Sequence, residues 1–214
     1  PLAALPVSGA PAPRSRLQSR AMTARQRRVR IAPAIGKRTM GETRRDDESG
    51  TVTVRPATAA DSAAITALLA LSYPAAYAGW YEADLLARAL PFMIRANPGL
   101  IASGTFHVAF VDGRLAGCGG WSPCAPDGRE RAGTAHLRHF AVDPASTRRG
   151  IGRALYRRCR DEASARGFTC MECQSSLPAA AFYRRLGFER VEPSAVELPD
   201  GTVFPGVLMR ALIA

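Results

Sequence analysis

Phe140-Ala-Val-Asp-Pro-Ala-Ser-Thr-Arg-Arg-Gly-Ile-Gly-Arg-Ala154 changes character twice within one short stretch. An apolar run ends at Asp143-Pro144, and Arg148-Arg149 then lead into Gly150-Ile151-Gly152. Leu155, Tyr156, Cys159 and Ala163 follow at steps of one, three or four. The pattern predicts a strand, a tight turn and a helix that opens on small residues. The first turn of a helix leaves backbone N–H groups unpaired, and its dipole makes that end attractive to anions. Glycine removes the side chain that would hold a phosphate away from those groups. Arg148, Arg149 and Arg153 add positive charge, so Gly150, Ile151 and Gly152 with these arginines form a candidate pyrophosphate cradle.

Two familiar phosphate loops are excluded. A Walker loop needs a lysine and a hydroxyl after its last glycine, and neither follows Gly152. A dinucleotide fingerprint needs a third glycine where Leu155 stands. A second segment narrows the choice. Phe168 to Gln174 has the composition of a strand. Ser175-Ser176-Leu177-Pro178 and Ala-Ala-Ala-Phe-Tyr-Arg-Arg-Leu-Gly-Phe188 come next. Pro178 suits a first helical position and Gly187 the left-handed position past a helix end, which predicts a helix of about two turns between them.

R-R-G-x-G after a strand ending in V-D-P resembles motif A of the Gcn5-related N-acetyltransferases, and F-Y-x-x-L-G-F resembles their motif B. The resemblance covers residues 50–214, and it implies an acyl-CoA N-acyltransferase fold with acetyl-CoA as co-substrate. Read from the residues themselves, Thr51–Pro56 is a first strand, and Thr58 with Asp61 makes a capping box opening a helix with Ile65, Leu68, Leu69 and Tyr73 on its core stripe. A second helical stretch runs from Glu82 to Arg95, with a kink or break expected at Pro91. Phe106–Val111 and Arg114–Trp121 flank Asp112-Gly113, a hairpin signal. Ala135–Val142 enters the cradle, and Phe188–Val196 and Phe204–Leu212 close the chain around Pro199-Asp200-Gly201. The expectation is an α/β (α+β) domain with a mixed central sheet of six to seven strands flanked by helices.

The resemblance also assigns roles. Tyr183 stands where the family's tyrosine protonates the coenzyme A sulfur; a phenol of pKa about 10 is a reasonable acid toward a thiolate of parent pKa about 8.5. Backbone groups of Phe140, Ala141 and Val142 stand where the pantetheine arm and thioester carbonyl are met, and Ser176 replaces the family's asparagine. Thr147 replaces its usual Gln or Arg. His136, where many members carry glutamate, and His139 are candidate general bases. Three residues apart, they face opposite sides of a regular strand. Glu172 is a further candidate base, and His107 reads as structural. No cysteine has an adjacent base, so direct attack in a ternary complex is expected rather than a cysteine-bound intermediate. The acceptor is expected to be an amine of a small molecule or peptide. It would meet the segment from Tyr73 to Leu100 and the loop from Ser122 to Gly133, where Glu82 and Asp84 either attract a cation or merely open a helix.

Residues 1–49 are different material: eleven Arg/Lys against four Asp/Glu supply seven of the formal +11. They have no aromatic residue and no periodicity, which predicts a disordered basic extension. It reads as a stretch upstream of a start at Met22 or Met40, as a basic arm for nucleic acid, or as an Arg-rich targeting peptide. No long apolar run is evident and no membrane span is expected. The five cysteines, an odd number, read as free thiols of a reducing cytoplasm, and Cys170/Cys173 lack the partners of a metal site. A monomer or homodimer is expected. Two functions of other classes stay open: a non-catalytic acyl-CoA-binding regulatory domain, and a nucleic-acid-associated protein acting through residues 1–49.

Overall fold

The computed structural model describes residues 51–213. The expectations for the basic extension lie outside these residues. Seven strands form one sheet in the order β1-β2-β3-β4-β5-β7-β6. They are β1 (Val52–Pro56), β2 (Phe106–Val111), β3 (Arg114–Ser122), β4 (Thr134–Val142), β5 (Cys170–Ser175), β6 (Glu189–Glu197) and β7 (Val203–Leu212). The helices are α1 (Ser62–Tyr77), α2 (Ala83–Met93), α3 (Pro98–Ala102), α4 (Ile151–Ala165) and α5 (Ala180–Arg185). All neighbouring strands run antiparallel except β4 and β5, which are parallel and joined through α4. A parallel pair needs such a crossover, and the strand–turn–helix reading of residues 135–165 supplies it.

Apolar spacing explains which helix covers which face. Ile65, Leu69 and Tyr73 of α1 pack with Val108, Cys118 and Ala141. Ile151 and Leu155 of α4 pack with Ala109 and Val111, and Tyr156, Cys159 and Ala163 with Trp121, Leu137 and Met171. Each fully buried large side chain stabilises by roughly 1.5–3 kcal/mol. The stretch Ala59–Tyr77 is long and apolar enough to cross a membrane by composition, which the sequence reading did not register. Its apolar stripe is buried under α2 and the sheet, as a core helix's is.

Three local expectations change. Pro91 does not break α2, because Ile94 N–H still reaches Leu90 O at 3.0 Å one turn later; the helix ends at Met93. Pro178 lies in the turn before α5 rather than at its first residue, since α5 begins at Ala180. The short α3 was not anticipated, although Asn97-Pro98 announces it: the Asn97 side chain accepts the Leu100 N–H at 3.0 Å and Pro98 fills the first position. Two helix ends share one solution. Gly167 after α4 and Gly187 after α5 sit at φ 85° and 92°. In each case the next residue donates back, Phe168 N–H to Ala163 O and Phe188 N–H to Tyr183 O, both at 3.1 Å.

Candidate active site

β4 and β5 pair only from Thr134↔Cys170 to His136↔Glu172, and then they part. Just beyond the last of these pairs, β4 carries an extra residue. Cys118 pairs with Ala141 and Gly120 with Arg138, so Gly119 alone faces both His139 and Phe140. His139 takes φ 50° to make this bulge. The gap widens into a cavity of about 510 Å³. Its walls include Leu137–Phe140 of β4, Cys173–Ser175 of β5 with Ser176 beyond it, Tyr73 and Tyr77 of α1, and Tyr183 of α5.

The turn before α4 has the form the sequence implied. Arg148 and Gly150 both have positive φ, 66° and 77°, and Gly150 caps the helix. The first intrahelical bond runs from Ala154 N–H to Gly150 O at 2.9 Å. The N–H groups of residues 150–153 precede that bond and are left for an anion. Gly152 meets α5: a Cβ added there would lie 3.0 Å from the Phe182 ring. The helix start and the element carrying Tyr183 therefore touch. Arg149 is held by Asp112 of the β2–β3 turn at 3.1 Å. Arg148 and Arg153 are exposed and form no ion pair among the described residues.

Tyr183 is buried among Phe140, Phe182 and Phe188, with ring centroids 5.1–6.3 Å away. Its hydroxyl forms no hydrogen bond with a described residue. Burial pushes its pKa well above the ordinary phenol value, so the proton stays on oxygen at neutral pH. Cys173, the cysteine on the cavity wall, is held protonated in the same way, its pKa pushed up by burial, and burial likewise pushes the core thiol of Cys118 up to about 12.

The two histidines part company. His139 lines the cavity, and burial together with the Arg138 charge lowers its pKa to about 4. His136 lies off the cavity wall, its Nδ1 3.8 Å from Glu172 Oε2 and its Nε2 buried without a partner among the described residues. Desolvation lowers its pKa too. Glu172 accepts from Arg210 Nε at 2.8 Å and is not in the cavity. His107 is fully buried with Nε2 3.1 Å from Glu162 Oε1, a carboxylate that also takes Trp121 Nε1–H at 3.2 Å and Arg158 Nε–H at 2.7 Å.

Phe140, Ser176, His139 and Tyr183 thus meet in one cavity, while Ala141 and Val142 continue β4 toward the turn at Arg148–Arg153. Among the residues expected to meet the acceptor, Tyr77 lines the cavity, but Trp80, Tyr81, Glu82 and Asp84 do not. Tyr81 is a strut: its hydroxyl accepts the Leu177 N–H at 2.7 Å and donates to Pro205 O at 3.1 Å. Arg95 and Asn97, inside the expected acceptor segment though not singled out there, and Arg138 of β4, which the sequence reading missed, are all on the cavity wall. Arg138 did carry a signal, the one Lys, Arg, Asp or Glu in the strand Thr134–Val142.

The fold has many solved counterparts. The chain is similar to a PaiA N-acetyltransferase from Thermoplasma acidophilum, solved with coenzyme A, at 17% identity and TM-score 0.58 over 76% of this chain and 99% of that one. It is similar to a GCN5-related N-acetyltransferase from Rhodopseudomonas palustris at 20% identity and TM-score 0.60, covering 83% and 99%. The ribosomal-protein-S18-alanine N-acetyltransferase of Escherichia coli matches at 20% identity and TM-score 0.51, covering 77% and 95%. No curated protein matches the chain in sequence. The model of the acetyltransferase (GNAT) family matches residues 65–188, a stretch that includes the glycine turn, the β4–β5 gap and Tyr183. With that match spanning more than half of the sequence, the chain belongs to the GNAT family of acetyltransferases.

Proposed function

We propose that this protein is an acetyl-CoA-dependent N-acetyltransferase, passing the acetyl group to an amine by direct attack while both substrates are bound. One observation carries the reading: a gap between β4 and β5 is walled by a protonated, buried tyrosine, and α5, which carries that tyrosine, touches an anion-ready helix start. Bound acetyl-CoA supplies an activated thioester. The N–H groups of Gly150, Ile151, Gly152 and Arg153, with Arg148 and Arg149 beside them, suit its pyrophosphate. Ser176 and the backbone of Phe140–Val142 suit the pantetheine arm.

Tyr183 is the proton donor to the departing sulfur, because burial keeps its phenol protonated. Direct attack is favoured over a cysteine relay because Cys173, the thiol on the cavity wall, is held protonated by burial. His139 is the better placed imidazole. It is neutral at physiological pH and can accept a hydrogen bond from the incoming amine. Free thiols at all five cysteines fit a reducing, cytoplasmic setting.

Calorimetry of acetyl-CoA against the full-length chain tests this reading, with Gly150→Glu alongside. The substitution forces a non-glycine residue to φ 77° and sets a carboxylate beside the phosphate site. Micromolar binding, weakened by more than about tenfold in the variant, is expected. A folded chain that binds no acetyl-CoA would sink the reading.

A further inference from the structure

The cavity has an unusual electrical character for a pocket that must receive an amine. Among the described residues that line it there is no aspartate and no glutamate, but there are two arginines, Arg95 and Arg138. Neither guanidinium is paired with a carboxylate among the described residues. Arg138 makes a single side-chain hydrogen bond, from Nη1 to Ser122 Oγ at 3.0 Å, which leaves most of its five donors open. Partial burial already works against its charge and lowers its pKa. A guanidinium kept in such a place is costly unless an anion completes it.

Its position separates it from the coenzyme's anionic part. Leu137 pairs with Trp121 and packs with the α4-side cluster, so Arg138, the next residue, leaves the opposite face of β4. Arg95 and Asn97 come from the segment between α2 and α3, and Tyr73, Tyr77, Phe92, Met93 and Phe204 give the same cavity an apolar and aromatic wall. The turn at residues 148–153 lies at the start of α4 and is not part of this lining.

Resting on the acetyl-transfer reading, we infer that the acceptor is an amine that also bears an oxyanion, a carboxylate or phosphate, and that Arg138 holds this group in bidentate fashion with Arg95 at the cavity edge. A planar guanidinium fork matches either oxyanion. The apolar wall favours a carboxylate acceptor with an aromatic or aliphatic side chain. The alternative in which Glu82 and Asp84 attract a cationic acceptor does not fit, since neither residue lines the cavity. A polyamine or a lysine side chain flanked by further positive charge would meet two like charges and no counter-ion.

The test is a thiol-release assay on the full-length chain with four acceptors: L-phenylalanine, O-phosphoethanolamine, phenethylamine and spermidine. L-phenylalanine and phenethylamine differ only in the carboxylate. Turnover of L-phenylalanine or O-phosphoethanolamine with at least about tenfold higher kcat/KM than both cations is expected, and which of the two is favoured tells carboxylate from phosphate. Arg138→Met should raise the KM of the favoured acceptor by about ten- to a hundredfold. Arg138→Lys should restore part of the loss, and the KM for acetyl-CoA should stay within twofold. Arg95→Ala, an exposed change that leaves folding intact, should raise the same KM severalfold. Preference for phenethylamine or spermidine overturns the inference while leaving acetyl transfer standing. If no acceptor turns over, calorimetry of the same four probes on the CoA-saturated protein decides, and equal or preferential binding of the two cations overturns it. Absence of acetyl-CoA binding is a different failure, since it removes the acetyl-transfer reading on which this one rests.

Discussion

Gly152 and Phe182 are in such close register that a single methyl group would collide: a Cβ at Gly152 would stand 3.0 Å from Cε2 and Cζ of the ring. The glycine therefore has two duties. It leaves the N–H groups at the helix start uncovered by a side chain, and it lets α4 come close to the Phe182 ring of α5.

Gly152→Ala should weaken acetyl-CoA binding about fivefold to thirtyfold and cost about 1–2 kcal/mol in stability, since Phe182 must yield by a few tenths of an ångström. Phe182→Leu should recover part of both losses. A double-mutant cycle by calorimetry and thermal denaturation measures this, and strict additivity of the two changes would show that the contact carries no coupling.

Tyr183→Phe removes a hydroxyl with no hydrogen-bond partner among the described residues and leaves the ring between Phe140, Phe182 and Phe188. Thermal stability and acetyl-CoA affinity should be nearly unchanged, while kcat falls by about a hundredfold or more. Unchanged kcat would remove Tyr183 from the chemistry. No turnover in the parent protein, with tight acetyl-CoA binding, would point instead to a binding-only domain.

His139 ties stability to pH. Its folded pKa, about 4, lies below the ordinary histidine value of about 6.5, so the unfolded chain binds more protons between those limits. Stability is complete above pH ~6.5 and declines as pH falls toward about 4, by at most about 3 kcal/mol from this group. His107 and His136 act in the same direction. In denaturant melts at pH 7 and pH 4.5, His139→Gln should show a smaller pH-dependent loss than the parent. An identical loss in both would mean that His139 titrates normally.

Glu162 gathers three donors from three elements: the His107 ring of β2, the Trp121 indole of β3 and Arg158 one turn back on α4. Glu162→Ala strands the two buried partners and should cost about 2–3 kcal/mol. Glu162→Gln, which keeps an acceptor, should cost about 1 kcal/mol. The emission of Trp121 should shift in the alanine variant, and an unshifted spectrum with full stability would show the cluster to be incidental.

The frame of this fold was open to sequence reasoning because its signals are local. Asp112-Gly113 names a hairpin, Gly150 and Gly187 mark a helix start and a helix end, and short apolar runs bounded by turn residues mark the strands. The cavity was harder because it depends on an irregularity. Counting by twos along β4 sends His136 and His139 to opposite faces, but the extra residue opposite Gly119 breaks the count. His139 reaches the cavity only because it adopts φ 50°, a conformation no periodicity announces. Arg138 stayed hidden for a related reason. A lone charge in a strand means little until the neighbouring strand is seen to leave. Of the two readings left open for Glu82 and Asp84, the helix start is the one that fits: Glu82 is the N-cap of α2, Asp84 lies in its first turn, and neither lines the cavity.

The short pairing between β4 and β5 has a mechanical side. Three register pairs, Thr134↔Cys170 to His136↔Glu172, are all that joins the plate β1–β4 to the plate β5–β7–β6 by strand pairing. Glu172, the last of them, is bound to Arg210 of β7 and so is anchored within the second plate. Such a sheet bends most easily along one line, the short seam, and stays stiff across each plate. Amide exchange should therefore be fastest at the seam's open end beyond His136 and slow in β2, β3 and β7. What holds the gap's width is side-chain packing across the seam, where Trp121 and Leu137 of one plate share a core with Met171 and Met209 of the other.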